Sequence, residues 1–475
     1  MKKGPKIVIV GAGSLFFGRK LIWAMNRLEG LTDGHLALVD TDPEHLKGME
    51  SLARAVRAES GAGHEISATA DVREALPGAD FVILSFSHRN AHFRGVDVQT
   101  SARHGIRMCS GDTIGPGGVF RALREFPQVM AVVRGVEELC PEAWLINYIN
   151  PSSVFGIALA RYCKAKNFAL CDSLHLPYLH RNYMQMIGLD PAEEDKFDMK
   201  IAGVNHFTWC LQARFGEEDV LPRIHEAMRK LGEDENMEAA AKAALNRKIS
   251  ARLADFFGAV PVCTAHTKEY LPYFQGWGMH VEEDPIPPLK LFEHDEREEV
   301  TRGMWKEVAA YSSGEQPVAE FLENYSSDHA TDIIQAIWND SGDHFFCNVP
   351  NAGAVPNLPE DAILELECRV DRNGPRPIPV GAMPAGLRGL QMQIHDTHEL
   401  TVEAALKKDR NLLLRALATD PLTPNLTTAE AVLKDLYAEE ADVLEEWVGQ
   451  EERKPTVPSG PVADTVHQGQ TAEGS

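Results

Sequence analysis

The stretch that decides the fold is KIVIVGAGSLFFGRK, residues 6–20. After Lys6 the run Ile7–Val10 is continuously apolar and mostly β-branched, the pattern of a strand buried on both faces of a parallel sheet. Gly11-Ala12-Gly13-Ser14 breaks the strand, and an apolar-periodic segment to about Leu28 predicts a helix. Working outward, HLALVD (35–40), HEISATA (64–70), DFVILSF (80–86), AWLINYI (143–149) and NFALC (167–171) read as further strands. Helices are expected at 43–58, 119–140 and 152–164, with a long polar loop after residue 86. Strands alternating with helices across short links specify an α/β fold, a doubly wound Rossmann-type parallel sheet, through about residue 195.

The second half is less regular. Residues 200–215 read as extended chain, 222–256 as helix and 260–290 as a Pro/Gly/aromatic loop region. Helices at 295–311 and 327–340, strands at 344–351 and 362–370, and helices at 384–417 and 426–450 follow. The expected organisation is a dinucleotide-binding domain over 1–195 and an α+β domain over 196–453 for substrate, metal and oligomer contacts. Residues 454–475 have few large apolar side chains and are expected to be a disordered tail.

Composition narrows the function. The 475 residues carry 47 Lys+Arg against 70 Asp+Glu, a formal net charge of -23. That balance speaks against nucleic acid and anionic membrane as partners, because both need clustered positive charge. The 8 cysteines include no CxxC pair, so a disulfide framework is not expected and a reducing compartment is. The first 20 residues lack the h-region and cleavage site of an export signal, which points to the cytoplasm.

Gly11-x-Gly13 lies between a strand and a helix, where missing side chains let a pyrophosphate approach the backbone. The third glycine of G-x-G-x-x-G is absent, with Phe16 in its place and Gly18 two residues on. Gly11, Gly13 and Ser14 are the expected cofactor contacts. Asp40, ending the second strand, would accept hydrogen bonds from ribose hydroxyls and repel a 2′-phosphate, which favours NAD over NADP.

A second constellation follows the later strands. Asn150 follows the strand at 143–149, Cys171-Asp172 ends the one at 167–171, and Asn205-His206 sits in GVNHF. Singly, each reads as a turn, cap or core residue. Together, a thiolate and an imidazole would leave a divalent cation with open positions for substrate oxygens. Asp112, in the Gly-rich SGDTIGPGGVFRALR (110–124), reads as a general acid or as a turn aspartate. The loop lacks the Gly-Lys-Ser/Thr ending of a P-loop.

GAGS, SGDTIGPGG, NYINPSS, CDS, GVNHF and FFCNVPNAG, in this order, resemble the family 4 glycoside hydrolases over nearly the whole chain. The resemblance implies a lactate/malate dehydrogenase-like nucleotide domain, NAD and a divalent metal, Mn2+ first among candidates, held by Cys171 and His206. It implies hydrolysis by transient oxidation at C3 of the glycone, removal of the acidified C2 proton, elimination, water addition and re-reduction, outside the paired-carboxylate scheme of most glycosidases. By motif position Asp112 corresponds to the leaving-group acid and Tyr270, in EYLPYF (269–274), to the base, with Tyr273 in reserve. Asn150 and Asn205 correspond to glycone-binding residues, and a homodimer or homotetramer is implied.

Two departures bear on substrate. Cys-Asp-Ser stands where many members have Cys-His-Ser, which leaves Asp172 and His175 without a role. SFSHRNAHFRG (85–95) does not match the phospho-glycosidase branch, so a non-phosphorylated hexoside or hexuronoside is expected, with Arg89, Arg94 or Arg103 available to a uronate carboxylate. The competing readings are an NAD-dependent hydroxy-acid dehydrogenase and a non-catalytic NAD-sensing protein.

Overall fold

A computed structural model describes residues 3–171, 173–233, 238–277 and 288–444 of the chain. The expected disordered tail, the end of the last expected helix and Asp172 lie outside the described residues. The first half runs β1 (Lys6–Val10), α1 (Gly18–Arg27), β2 (His35–Val39), α2 (Pro43–Ser60), β3 (Glu65–Thr69), α3 (Val72–Ala75), β4 (Phe81–Leu84), α4 (Asn90–Arg103), α5 (Gly115–Leu139), β5 (Trp144–Asn147), α6 (Ser152–Tyr162), β6 (Lys166–Ala169) and α7 (Tyr178–Met186). The second half runs β7 (Phe197–Gly203), β8 (Trp209–Phe215), β9 (Glu218–Asp219), α8 (Leu221–Glu233), α9 (Glu238–Phe257), β10 (Val260–Pro261), α10 (His294–Ser313), α11 (Val318–Asn324), α12 (His329–Asn339), β11 (Asp343–Pro350), β12 (Ile363–Asp371), β13 (Gly374–Pro377), α13 (Ala385–Lys407), α14 (Arg410–Thr419) and α15 (Leu426–Glu439).

The parallel part is the doubly wound sheet expected, in the order β6-β5-β4-β1-β2-β3. Ile7 to Val10 are all buried, as a strand covered by helices on both faces requires. The sheet does not stop at β6. It continues antiparallel through β11, β12, β7, β8 and β10, so strands from both halves form one surface. β11 joins at Asn348 opposite Ala169, two residues before Cys171, and β12 sets Glu365 opposite Gly203 at the start of the GVNHF turn. No helix among the described residues is long and apolar enough to cross a membrane.

Two element expectations are corrected. The polar loop after residue 86 contains α4, whose buried side includes Asp97, Thr100 and Ser101. Asp97 is buried because Arg124 of α5 pairs with it at 2.7 Å, and the same guanidinium meets Glu440 at 2.7 Å. Polar residues buried through partners on other elements leave no apolar stripe to read. The single helix expected over 384–417 is two, broken at Lys408, which takes a left-handed φ of 51°. Asp409 then caps α14 by accepting from the Asn411 and Leu412 amides.

Candidate active site

The nucleotide turn forms as its residues suggest. Gly11 has φ 90°, in the left-handed region, and the Gly11 and Ala12 amides donate to the Val39 carbonyl at 2.8 and 2.9 Å. The Gly13 amide donates to Asp40 Oδ2 at 2.7 Å, and the Ser14 amide closes the turn onto the Gly11 carbonyl. Gly11, Gly13, Ser14 and Asp40 therefore come together. Gly18 does the packing work of the missing third glycine: a Cβ there would lie 2.7 Å from the Ala12 carbonyl oxygen and 2.7 Å from Met49. At the carboxyl end of β4, beside this turn, the buried Ser85 hydroxyl has no partner within the protein.

Farther along the same edge, Cys171 and His206 meet. The thiol sulfur lies 3.5 Å from His206 Nδ1, and both side chains are buried. His206 has φ 64°, a strained setting for a non-glycine residue and one that recurs at functional sites. The turn that imposes it is tight, since a Cβ on Gly203 would sit 2.4 Å from the Phe207 carbonyl. Gln391 of α13 clamps it, accepting from the Val204 amide at 2.8 Å and donating to the Phe207 carbonyl at 2.9 Å. Burial pushes the Cys171 thiol up to about 12, with the Glu365 carboxylate adding to the effect. Such a thiol stays neutral unless a cation takes the sulfur.

Asn205 donates to Glu365 Oε1 at 3.2 Å, and Thr208 donates to the other oxygen at 2.5 Å. The buried Asn205 carbonyl oxygen is left with no partner within the protein. Asn150 donates to Asp112 Oδ2 at 3.3 Å. Asn150 thus lies against Asp112, and Asn205 against Glu365 next to His206.

Asp112 is surrounded by cations. Arg121 lies 3.0 Å away and Arg94 3.7 Å, and the Ser110 hydroxyl donates to Oδ1. Burial alone would raise its pKa, but the two guanidiniums override this and hold the carboxyl well below the usual range. The two guanidiniums favour the carboxylate form of Asp112, so acting as the leaving-group acid that the resemblance implies would require a proton taken up against them. The glycine-rich loop beside it is a packing device: a Cβ on Gly117 would lie 2.5 Å from the Gly111 carbonyl. The Gly115 amide at the start of α5 is taken by Asp420 Oδ2 at 2.9 Å.

Tyr270 is fully buried and stacks on Phe207, with centroids 5.5 Å apart. Burial drives its phenol well above 10, and the neighbouring Thr113 hydroxyl pulls only weakly the other way. Tyr273, the reserve, is 50% exposed and packs its ring against Phe257. Of the three arginines offered for a uronate, Arg94 alone reaches the site. Arg103 pairs with Glu439 at 2.9 Å and Arg89 faces Asp442 at 3.9 Å, both on the surface. His175, four residues after Cys171, pairs with Asp332 at 3.0 Å.

Four residues in the site escape the sequence reading. Glu269 accepts the Ser110 and Gly111 amides, both at 2.8 Å, and so ties the Tyr270 loop to the Asp112 loop. Glu365 braces the GVNHF turn from β12. Cys263 and His266 face His206, with the sulfur 3.4 Å from His206 Nδ1 and 3.2 Å from His266 Nδ1. Cys263-x-x-His266, just before EYLPYF, was a usable signal; nothing local marks Glu365.

Comparison with known proteins identifies the family. The model for "Family 4 glycosyl hydrolase" matches residues 6–178, and that for the family's C-terminal domain matches 201–423. The alpha-galactosidase of Bacillus subtilis is 27% identical over 452 residues, covering 93% of this chain and 99% of the relative. The alpha-galacturonidase of the same organism is 30% identical over 450 residues, covering 91% and 96%. A 6-phospho-alpha-glucosidase from gut microorganisms, solved in complex with NAD and Mn2+, superposes with a TM-score of 0.77 at 21% identity, covering 93% of this chain and 99% of that one. The two family models together cover most of the chain: it is a member of glycoside hydrolase family 4.

Proposed function

We propose that this glycosidase depends on NAD and a divalent cation and acts on a non-phosphorylated hexuronoside. The observation that carries the reading is the Cys171–His206 pair at 3.5 Å, on the same sheet edge as the turn closed by Asp40. The unpartnered Ser85 hydroxyl and Asn205 carbonyl oxygen are buried polar atoms in want of a ligand, which fits a cofactor and a sugar. The neutral, buried thiol fits a cation that would claim it. The NAD and Mn2+ bound by the related 6-phospho-alpha-glucosidase support the same pair of cofactors here.

Bound at these positions, a nicotinamide supplies reversible hydride transfer at a sugar carbon and the cation supplies Lewis acidity that acidifies the neighbouring C–H bond. The protein's part is to hold and orient. Cys171 and His206 would hold the cation, and two protein donors would leave room for sugar oxygens. Asn205 and Asn150 offer hydrogen bonds to glycone hydroxyls. Tyr270, kept protonated by burial, becomes a base for the C2 proton when positive charge beside it favours the phenolate. Asp112, held ionised, accepts from substrate hydroxyls and keeps Arg94 in place.

Arg94, Arg121 and Arg297 gather around one carboxylate, and Arg297 leans over Phe16 of the nucleotide turn with its guanidinium 4.5 Å from the ring centroid. Glu125 and Glu269 share this field, so Arg94 and Arg297 beside Asp112, rather than a net positive charge, are what would meet an anionic glycone. The Gly115 amide at the start of α5 is already taken by Asp420, which leaves the arginines rather than this amide to meet an anion. The test is hydrolysis of nitrophenyl hexuronides, hexosides and 6-phosphohexosides, in both anomers, with NAD+, Mn2+ and thiol. The uronide should have the highest kcat/KM, and preference for the 6-phosphohexoside would refute the assignment.

A further inference from the structure

Cys263 and His266 take no part in the reaction outlined above, yet they face the imidazole that would hold the cation. Donor atoms of His206, Cys263 and His266 all lie within 4.8 Å of one another; the first two residues are buried and the third half-buried. The Cys263 sulfur contacts both rings, 3.4 Å from His206 Nδ1 and 3.2 Å from His266 Nδ1. Cys171 stands apart from this group. Its sulfur is almost equidistant from the two nitrogens of His206, at 3.5 and 3.6 Å, so it does not lie along the Nδ1 lone pair. In a tetrahedral zinc site, with Zn–S about 2.3 Å and Zn–N about 2.05 Å, sulfur and nitrogen stand about 3.6 Å apart. The two separations at Cys263 fall just inside that edge, and small side-chain shifts would admit an ion.

The three donors are pre-positioned. The His266 and Thr267 amides close a turn on the Cys263 carbonyl at 3.2 and 3.0 Å, and the Thr267 hydroxyl donates to the His206 carbonyl at 3.2 Å. The two loops that carry the donors are thus bonded to each other before any ion arrives. One thiolate and two imidazoles form a donor set for Zn2+ or Co2+ more than for Mn2+, which prefers oxygen. Three protein donors leave the fourth tetrahedral position to water or a small anion.

We propose that His206, Cys263 and His266 form a three-donor site for a Zn2+-class cation, distinct from the Cys171–His206 pair except for the shared imidazole. Its consequence for activity rests on the reading that Cys171 and His206 hold the working cation. A neutral imidazole has one free lone pair, on Nδ1 or on Nε2 but not on both. His206 therefore serves one ion at a time, and Zn2+ held through Nδ1 with Cys263 and His266 excludes the working metal from Cys171.

The test uses the full chain, stripped with a chelator and kept under a phosphine reductant. Affinities for Zn2+ and Mn2+ are measured in the wild type and in Cys171→Ala, Cys263→Ser and His266→Gln. Cys263→Ser and His266→Gln should each lower Zn2+ affinity by at least about tenfold, the low end of what even outer-shell partners contribute. Cys171→Ala should leave Zn2+ affinity unchanged and keep the thiolate-to-metal absorption and tetrahedral visible bands of bound Co2+. X-ray absorption of the wild-type Zn2+ form should show one sulfur and two imidazoles, a readout that does not depend on how the variants fold. Two sulfurs or a single imidazole around zinc overturns the three-donor site, as does unchanged Zn2+ affinity in Cys263→Ser or His266→Gln. If Cys171→Ala still abolishes Mn2+ binding in that case, the functional reading stands without the site. If Cys171→Ala binds Mn2+ as the wild type does, the functional reading falls, and the zinc measurements judge the site on their own.

Discussion

Glu269 holds two loops together through one oxygen, which makes its replacement a quantitative test of how the site is built. In Glu269→Ala the Ser110 and Gly111 amides, each bonded at 2.8 Å, become buried donors without an acceptor. An orphaned buried donor costs about 1–3 kcal/mol, so the pair should cost about 2–6 kcal/mol. Glu269→Gln keeps an acceptor oxygen at the same place. Burial already raises the Glu269 carboxyl, and its second oxygen has no partner within the protein, so the amide should cost about 1 kcal/mol or less. Because the anchored loop carries Asp112 and the anchor precedes Tyr270, Glu269→Ala should also lower kcat by about 10²-fold, the effect of shifting a reacting group by about 1 Å. Urea unfolding gives the stability difference and steady-state hydrolysis the rate. Equal damage from the alanine and glutamine variants, or an alanine variant within 1 kcal/mol of wild type, would refute the role given to this carboxylate.

Asp40→Ala should weaken NAD+ binding by about 10- to 150-fold, the value of hydrogen bonds to a charged acceptor, and narrow the preference over NADP+; tryptophan fluorescence titration measures both. Gly18→Ala places a Cβ 2.7 Å from the Ala12 carbonyl oxygen and should destabilise the chain by about 1–3 kcal/mol in urea unfolding, as overpacking does. Acid lability follows from buried histidines: burial pushes His64 down to about 4 and His329 and His398 to about 3. They are neutral in the native state and take up protons on unfolding below about 6.5, so each makes stability fall with falling pH by about 1.4 kcal/mol per unit. Asp420, which burial raises to about 7, acts oppositely, favouring the native state as pH falls from 7 towards 4. His398→Gln should flatten the stability profile between pH 4 and 6.5 by one proton's slope, and an unchanged slope in urea unfolding would contradict the assignment.

The strand–turn–helix–strand signals of the first half were legible because each is local: an apolar run, a glycine break, a terminal aspartate. Asp40 and Gly13 meet as their positions in that pattern suggest, and Cys171 and His206 meet because each ends or follows a strand at the same sheet edge. What was not legible depends on pairing between distant segments. α4 buries Asp97 against Arg124, so its pattern reads as a polar loop. The antiparallel extension that brings Glu365 to the GVNHF turn rests on a junction of one residue pair, Asn348 with Ala169. The ionisation of Asp112 is likewise a tertiary matter, since Arg94 and Arg121 come from two helices and neither marks the aspartate in sequence. A turn aspartate and a proton donor look alike until those two guanidiniums are placed.

The central claim is that glycosidic cleavage passes through a transient oxidation beside an acidified C2–H bond. It is tested most directly by hydrolysing a C2-deuterated aryl hexuronide in ordinary water with catalytic NAD+, Mn2+ and thiol. The account predicts loss of the C2 deuterium to solvent, no NADH accumulating with turnover, and no reaction when either cofactor is withheld. Full retention of deuterium in the released sugar, or cleavage that persists without NAD+, would contradict it.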